Sequence, residues 1–277
     1  MQRRAAVIVP GAANALFARA IEDLGFEAVY VTGAGIANMG YGVPDVGLTT
    51  VTEVANAVAA MADCVRLPLI VDADTGFGNA VNMHRTVKLL ERAGASALQI
   101  EDQIFPKKCG HSPARPSCRR ARWCRKSRPR STPAPTPIMQ IVARTDSRAV
   151  EGLDAALDRA HKFVEAGADV IFVEAPLTLE EIMRVATEIK VPQIINIVYG
   201  GKTPDLGREK LTELGFSVAL YANAALQAAL RSVYDVLGQL KETGSLDAVK
   251  DKLASFDERQ RVVQKDVWDA LEAKFRE

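Results

Sequence analysis

Polar residues that could bind or transform a small molecule recur at the ends of short apolar runs in this chain of 277 residues. Asp72 and Asp74 follow Leu67–Val71, and Glu101 follows Ala97–Ile100. Arg144 follows Ile138–Ala143, Glu174 follows Val170–Val173, and Asn196 follows Val191–Ile195. One such Asp or Asn alone reads as a helix cap or a solvated loop residue. Carboxylates after several neighbouring apolar runs point to a shared site. Asp72, Asp74 and Glu101 are hard oxygen donors of the kind that suit an octahedral, water-rich Mg²⁺ or Mn²⁺. Three histidines (His84, His111, His161) are too few for a histidine-rich zinc centre. Arg144 offers a planar fork for a substrate carboxylate. Glycines at 33, 35, 76 and 78 allow backbone N–H groups to approach an anion closely. Cys109 sits in Lys107-Lys108-Cys109-Gly110-His111, where two lysines and a histidine favour the thiolate. It is therefore a candidate acid/base, and Gly110 beside it allows the loop to move. Cys64, within an apolar helical stretch, reads as a small buried hydrophobe.

The elements that must position these groups repeat a simple phrase. Leu24-Gly25-Phe26-Glu27, Ala93-Gly94-Ala95-Ser96, Ala166-Gly167-Ala168-Asp169 and Leu214-Gly215-Phe216-Ser217 each lead into a short apolar run. In each the glycine suits the left-handed position that closes a helix, and the run suits a strand buried on both faces. The runs at Val7–Val9, Leu67–Val71, Ile138–Ala143 and Val191–Ile195 make eight strands in all, with Pro68 and Pro192 near the start of two of them. Helical segments such as Val81–Ala93 and Leu153–Ala166 alternate with them. The pattern predicts an α/β chain forming one (β/α)8 TIM barrel over 1–277, with C-terminal helices over 226–277. No strand runs into a G-x-G-x-x-G turn, so dinucleotide binding has no support.

Composition is that of a globular chain, 48% hydrophobic and 25% charged, without an apolar run able to span a bilayer. The N-terminus lacks a secretory apolar region, so a cytoplasmic location is expected. The formal charge of +1 hides an uneven distribution. Residues 112–137 hold eight of the 35 basic residues and no acidic one, leaving 27 against 34 elsewhere, a net of −7. The same stretch holds six of 13 prolines and two of four cysteines, Cys118 and Cys124. It reads as a basic, Pro-rich loop foreign to the rest of the chain. Two compensating shifts of reading frame, after the His111 codon and before Met139, would produce it. A nucleic-acid-binding arm is the weaker alternative. A zinc loop from Cys109, His111, Cys118 and Cys124 lacks the usual ligand spacing.

The motifs resemble the isocitrate lyase/phosphoenolpyruvate mutase superfamily. The matching pieces are Val31-Thr32-Gly33-Ala34-Gly35, Gly42 through Gly47, Val71 through Gly78, Glu101-Asp102-Gln103, Lys107 through His111, Ala143 through Asp146, Val173-Glu174-Ala175 and Asn196 through Pro204. Together they span nearly the whole chain outside 112–137. The resemblance implies a homotetramer built as a dimer of dimers by exchange of a C-terminal helix. It implies that Asp72 and Asp74 hold Mg²⁺, with Glu101 nearby or bound through water. Thr32, Gly33 and Ala34 would bind the 2-oxoacid half of a carboxylate substrate. Arg144, Glu174 and Asn196 would grip its oxygens, with Gly110 and His111 in the same substrate-binding set.

The segment around Cys109 resembles the carbon–carbon lyases of the superfamily, those cleaving methylisocitrate or dimethylmalate. The implied reaction is a retro-aldol cleavage to a 2-oxoacid and a carboxylic acid. Tyr30 is the expected base, Cys109 the expected acid that protonates carbon, and Arg144 a stabiliser of developing charge. A phosphonate mutase of the carboxyvinyl-carboxyphosphonate or phosphoenolpyruvate type, and an oxaloacetate decarboxylase, are the alternatives within the superfamily. An inactive barrel that binds nucleic acid through the basic loop is the alternative outside it. The chain departs from the family pattern at Tyr199-Gly200-Gly201, where an acid usually precedes the glycines. It departs also at Thr212, where methylisocitrate-cleaving members carry an arginine, and at Ala13-Asn14 in place of Tyr-Asp.

Overall fold

Eight parallel strands close into a barrel in the order of the sequence. The computed structural model describes residues 1, 4–104, 107 and 139–276. Cys109, Gly110, His111 and the whole basic segment 112–137 lie outside the described residues. The strands are β1 (Val7–Ala12), β2 (Val29–Val31), β3 (Leu69–Asp72), β4 (Ala95–Glu101), β5 (Gln140–Thr145), β6 (Val170–Val173), β7 (Gln193–Asn196) and β8 (Val218–Tyr221). Between them run α1 (Ala15–Asp23), α2 (Val51–Cys64), α3 (Ala80–Arg92), α4 (Leu153–Glu165), α5 (Leu179–Glu188) and α6 (Gly207–Leu214). After β8 come α7 (Ala224–Thr243), α8 (Phe256–Val262) and α9 (Lys265–Lys274).

The expected strands all form, with shifted ends. Pro68 and Pro192 stand just before β3 and β7 rather than inside them. Each lacks the N–H a ladder position needs. Their carbonyls still serve, accepting from Val29 and Ile171 of the neighbouring strands. The four glycines read as helix-closing residues all adopt positive φ, at 79° for Gly25, 109° for Gly94, 94° for Gly167 and 88° for Gly215. Asn14 caps α1, its side-chain oxygen accepting from the Phe17 N–H at 3.0 Å.

Strand alternation divides the apolar residues into two layers. Leu98, Ile100, Ile141, Ala143 and Ile171 face the helices, while Tyr30, Ile70, Ala97, Val142, Phe172 and Ile194 fill the barrel. Inward positions at the strand C-termini are polar. The register sets Asp72 of β3 opposite Gln99 of β4, and Glu101 of β4 opposite Arg144 of β5. That stacks the polar residues directly above the apolar filling. Cys64 packs half-buried against the helix-facing core, and its thiol donates to the Met61 carbonyl. Burial raises its pKa, as suits an inert structural cysteine. Among the described residues, no helix is long and apolar enough to cross a membrane.

Candidate active site

Strand ends β2 to β7 converge on a cleft lined by Tyr30, Thr32, Ala34, Asp72, Arg144, Glu174 and Asn196, with Asp45, Lys107 and Asn223 at its rim. These are the C-terminal ends of the strands, the face on which TIM barrels carry their sites. The cleft has about 30 Å³ of free space, more than enough to admit a water molecule.

After β2 the chain turns into a short helical turn, Gly33–Gly35, and a π-helix, Ile36–Gly40. Thr32 holds that turn, its Oγ1 accepting from the Gly35 N–H at 3.2 Å. Gly33 lies against the acidic residues of β3. A Cβ placed on it would meet Asp72 Oδ2 at 3.2 Å and Asp74 Oδ1 at 3.3 Å. Both carboxylates therefore point at one spot above Gly33. Asp74 itself takes a positive φ of 46°, the left-handed conformation that Asp tolerates better than most residues. Its N–H donates to Asp72 Oδ1 at 3.1 Å.

Lys107 brings a cation to this pair. Its Nζ lies 2.8 Å from Asp74 Oδ1 and 2.5 Å from Asp45 Oδ1. Burial alone would push the Lys107 ammonium toward deprotonation, but Asp74, Asp72 and Glu101 raise its pKa well above the usual value. Arg144 has a similar setting. It forks onto Asp146 of its own strand end, Nε to Oδ2 at 3.0 Å and Nη2 to Oδ1 at 2.8 Å. Glu174 lies 3.3 Å from Nη2 and Glu101 3.5 Å from Nε. The guanidinium also stands 5.2 Å from the Phe172 ring centroid, a cation–π distance. Burial lifts Asp74 to about 6 against the pull of Lys107, and Glu174 to about 7 against that of Arg144. It lifts Glu101 well above the ordinary carboxylate range. Asn196 hydrogen-bonds Glu174.

Beneath this layer Asp102 anchors the end of β5. It accepts from Thr145 Oγ1 at 2.9 Å, from the Asp146 N–H at 3.0 Å and from Arg159 of α4 at 3.1 Å. Asp146 in turn fixes Arg144, so an outer helix reaches the site through two buried carboxylates.

Six carboxylates (Asp45, Asp72, Asp74, Glu101, Asp146, Glu174) thus face two cations (Lys107, Arg144). Among the described residues no group of three or more His, Cys, Asp or Glu stands ready-made around an ion. The donor set nonetheless fits a hard divalent cation. Asp72 and Asp74 share one aim, buried Glu101 Oε1 has no hydrogen-bond partner among the described residues, and the Lys107 ammonium supplies positive charge at the same carboxylates.

A family model described as phosphoenolpyruvate phosphomutase matches residues 1–241. The chain belongs to the phosphoenolpyruvate phosphomutase family. Within it, the chain is 40% identical over 252 residues to a 2,3-dimethylmalate lyase of Eubacterium barkeri, covering 91% of this chain and 87% of the relative. It is 41% identical over 253 residues to a 2-methylisocitrate lyase of Aeropyrum pernix, covering 91% and 81%. A solved phosphonopyruvate hydrolase in complex with oxalate and Mg²⁺ superposes with a TM-score of 0.84 at 29% identity, covering 99% of this chain and 98% of that one.

The fold brings most of the expected site residues together. Tyr30, Thr32, Ala34, Asp72, Arg144, Glu174 and Asn196 line one cleft, with Gly33, Asp74 and Glu101 packed about it. Cys109, Gly110 and His111 lie outside the described residues. Tyr30, the expected base, is held through its hydroxyl. Its hydroxyl donates to Gln99 Oε1 at 2.8 Å, and burial together with Asp72 raises its pKa well above 10. Gln99, Asp45, Asp146 and Arg159 join the site in the fold, beyond the site residues expected from the sequence. Gln99 carried a signal, an amide inside the apolar run Ala97–Ile100; Arg159, beside the apolar face of its helix, carried none.

Proposed function

We propose that this chain is a Mg²⁺-dependent carbon–carbon lyase. It cleaves a 2-hydroxy di- or tricarboxylate of the dimethylmalate or methylisocitrate type to a 2-oxoacid and a carboxylic acid. The observation that carries this reading is the buried set of Asp72, Asp74 and Glu101 beside Arg144, in a chain 40% identical to a dimethylmalate lyase. Asp72 and Asp74 would hold the metal, with Glu101 close by; Mn²⁺ has the same ligand preference. Bound there, a divalent cation acidifies a coordinated hydroxyl and neutralises negative charge as it develops.

The protein's own groups account for binding and orientation. The Gly33–Gly35 turn allows close approach of a carboxylate to backbone N–H groups. Arg144 is pinned by Asp146 and Glu174, so its position does not depend on substrate. Tyr30, with its proton committed to Gln99, presents oxygen lone pairs to a substrate hydroxyl. Cys109 is proposed as the acid that delivers a proton to carbon once the bond has broken.

Assembly belongs to the same reading. Leu230, Val233, Tyr234 and Leu237 on α7 and Val267, Trp268, Leu271 and Phe275 on and just after α9 are exposed. Such a set supports docking against further copies of the chain, as in a homotetramer.

Release of 2-oxoacid from 2-methylisocitrate, 2,3-dimethylmalate and oxaloacetate, assayed with and without Mg²⁺, tests the activity. Metal-dependent release from either of the first two is the expected result. No metal-dependent product from any of them would overturn the lyase assignment, and turnover of a phosphonate instead would assign the chain to mutase-type chemistry.

A further inference from the structure

Gln99 is fully buried at the centre of β4 and faces the barrel interior one layer below Glu101. Its amide bridges two neighbouring strands. Nε2 donates to Asp72 Oδ1 at 3.2 Å, while Oε1 accepts from the Tyr30 hydroxyl at 2.8 Å. This orientation of the amide follows from its partners. Asp72 Oδ1 also accepts from the Asp74 N–H, so it is the NH₂ group that faces it, and the amide oxygen is left for the Tyr30 hydroxyl. The Tyr30 proton is thereby directed away from the site.

Asp72 is fixed by the same contact. Oδ1 takes both the Gln99 amide and the Asp74 N–H. That leaves Oδ2 as the oxygen turned toward Gly33 and the spot it shares with Asp74. Below Gln99 the barrel is filled by Ala97, Ile70, Val142 and other apolar side chains. Nothing apolar at position 99 could replace these two hydrogen bonds.

We propose that Gln99 is a positioning residue: it selects which oxygen of Asp72 faces the metal and which way the Tyr30 hydroxyl points. The inference rests on the metal-dependent reading of the site. The competing description, a core amide that is merely satisfied, makes a different prediction. It expects a loss of stability and no change in metal affinity once the protein is folded.

The test uses Mn²⁺ as probe without substrate, its free fraction followed by electron paramagnetic resonance. The full chain is compared with Gln99→Met, which keeps volume and loses both hydrogen bonds, and Gln99→Asn, which keeps the amide and loses its reach. Circular dichroism establishes which variants are folded. Removal of an outer-shell partner of a metal ligand weakens affinity by about 10–100-fold, and a folded variant is expected to fall in that range. Tyr30→Phe, which removes the hydroxyl from both Gln99 and Asp72 but keeps the Gln99–Asp72 contact, is expected to bind Mn²⁺ more weakly than the native chain and more tightly than either Gln99 variant. Unchanged Mn²⁺ affinity in a folded Gln99 variant would overturn the proposal while leaving the metal reading intact. Should both Gln99 variants fail to fold, Tyr30→Phe decides: a loss of 100-fold or more would overturn the proposal, because Asp72 would then depend on Tyr30 rather than on the surviving Gln99 contact, and a smaller loss would support it. A native chain that binds no Mn²⁺ would remove the metal reading and this inference with it.

Discussion

Arg144 is the shared partner of three carboxylates. Asp146 takes Nε and Nη2 at hydrogen-bond distance, and Glu174 and Glu101 wait at 3.3 Å and 3.5 Å. A lysine there would keep the charge and lose the fork, along with the stacking on Phe172. Arg144→Lys is expected to lower kcat/KM by about 100-fold or more, on the scale of losing one pre-organised donor. Steady-state kinetics would check this, and a loss under ten-fold would count against the role. Gly33 makes a different demand, because its φ is not positive and an alanine would suffer no backbone strain. The added Cβ would instead press on Asp72 Oδ2 and Asp74 Oδ1 at 3.2 and 3.3 Å. Gly33→Ala should therefore weaken Mg²⁺ binding several-fold in a calorimetric titration while leaving the melting temperature of the metal-free protein nearly unchanged.

At the scale of elements, the helix-closing glycines separate two effects that look alike in the sequence. Gly94 and Gly167 occupy the same place in the repeated phrase and share a positive φ. A Cβ on Gly167 would meet nothing within 4 Å, whereas one on Gly94 would lie 2.4 Å from the Ala62 Cβ of α2. Gly167→Ala should lose about 1–2 kcal/mol, the penalty of a left-handed conformation. Gly94→Ala adds an overpacking term of about 1–3 kcal/mol. Denaturant unfolding of the two variants should resolve the difference; equal losses would mean that α2 yields without penalty. The repeated phrase made the barrel legible, because glycine closure and doubly buried strands are local signals. Strand ends were less legible: Pro68 and Pro192 look like strand residues until a missing N–H has to be placed in the ladder. Asp72, Glu101, Arg144, Glu174 and Asn196 could be read as site residues because each follows an apolar run. Asp45 and Arg159 could not, since a loop and an outer helix bring them in only through the closed fold.

Buried carboxylates with raised pKa values gather at and just beneath the barrel mouth, and they bear on how the stability of the whole molecule responds to pH. Asp74 and Asp102 are lifted to about 6 and Glu174 to about 7, each chiefly by burial. A carboxyl whose folded pKa exceeds its unfolded value binds its proton more tightly when folded. The stability it contributes is complete below the unfolded value near 4 and disappears as pH rises through 6 to 7. Without metal, the protein should therefore melt at a higher temperature near pH 5 than near pH 8, provided that global acid unfolding has not begun. A divalent cation bound at Asp72 and Asp74 competes with the proton on Asp74, so Mg²⁺ should stabilise more strongly at pH 8 than at pH 5.5. At a hundred times its dissociation constant a ligand adds about 2.7 kcal/mol. For a chain of this size that corresponds to a rise in melting temperature of roughly 5 °C. Thermal melts with Mg²⁺ and with EDTA across pH 5.5 to 8 would measure the difference. A shift that is absent, or of equal size at both ends, would mean that metal and proton do not meet at these carboxylates. In that event Lys107 alone would have to balance Asp74.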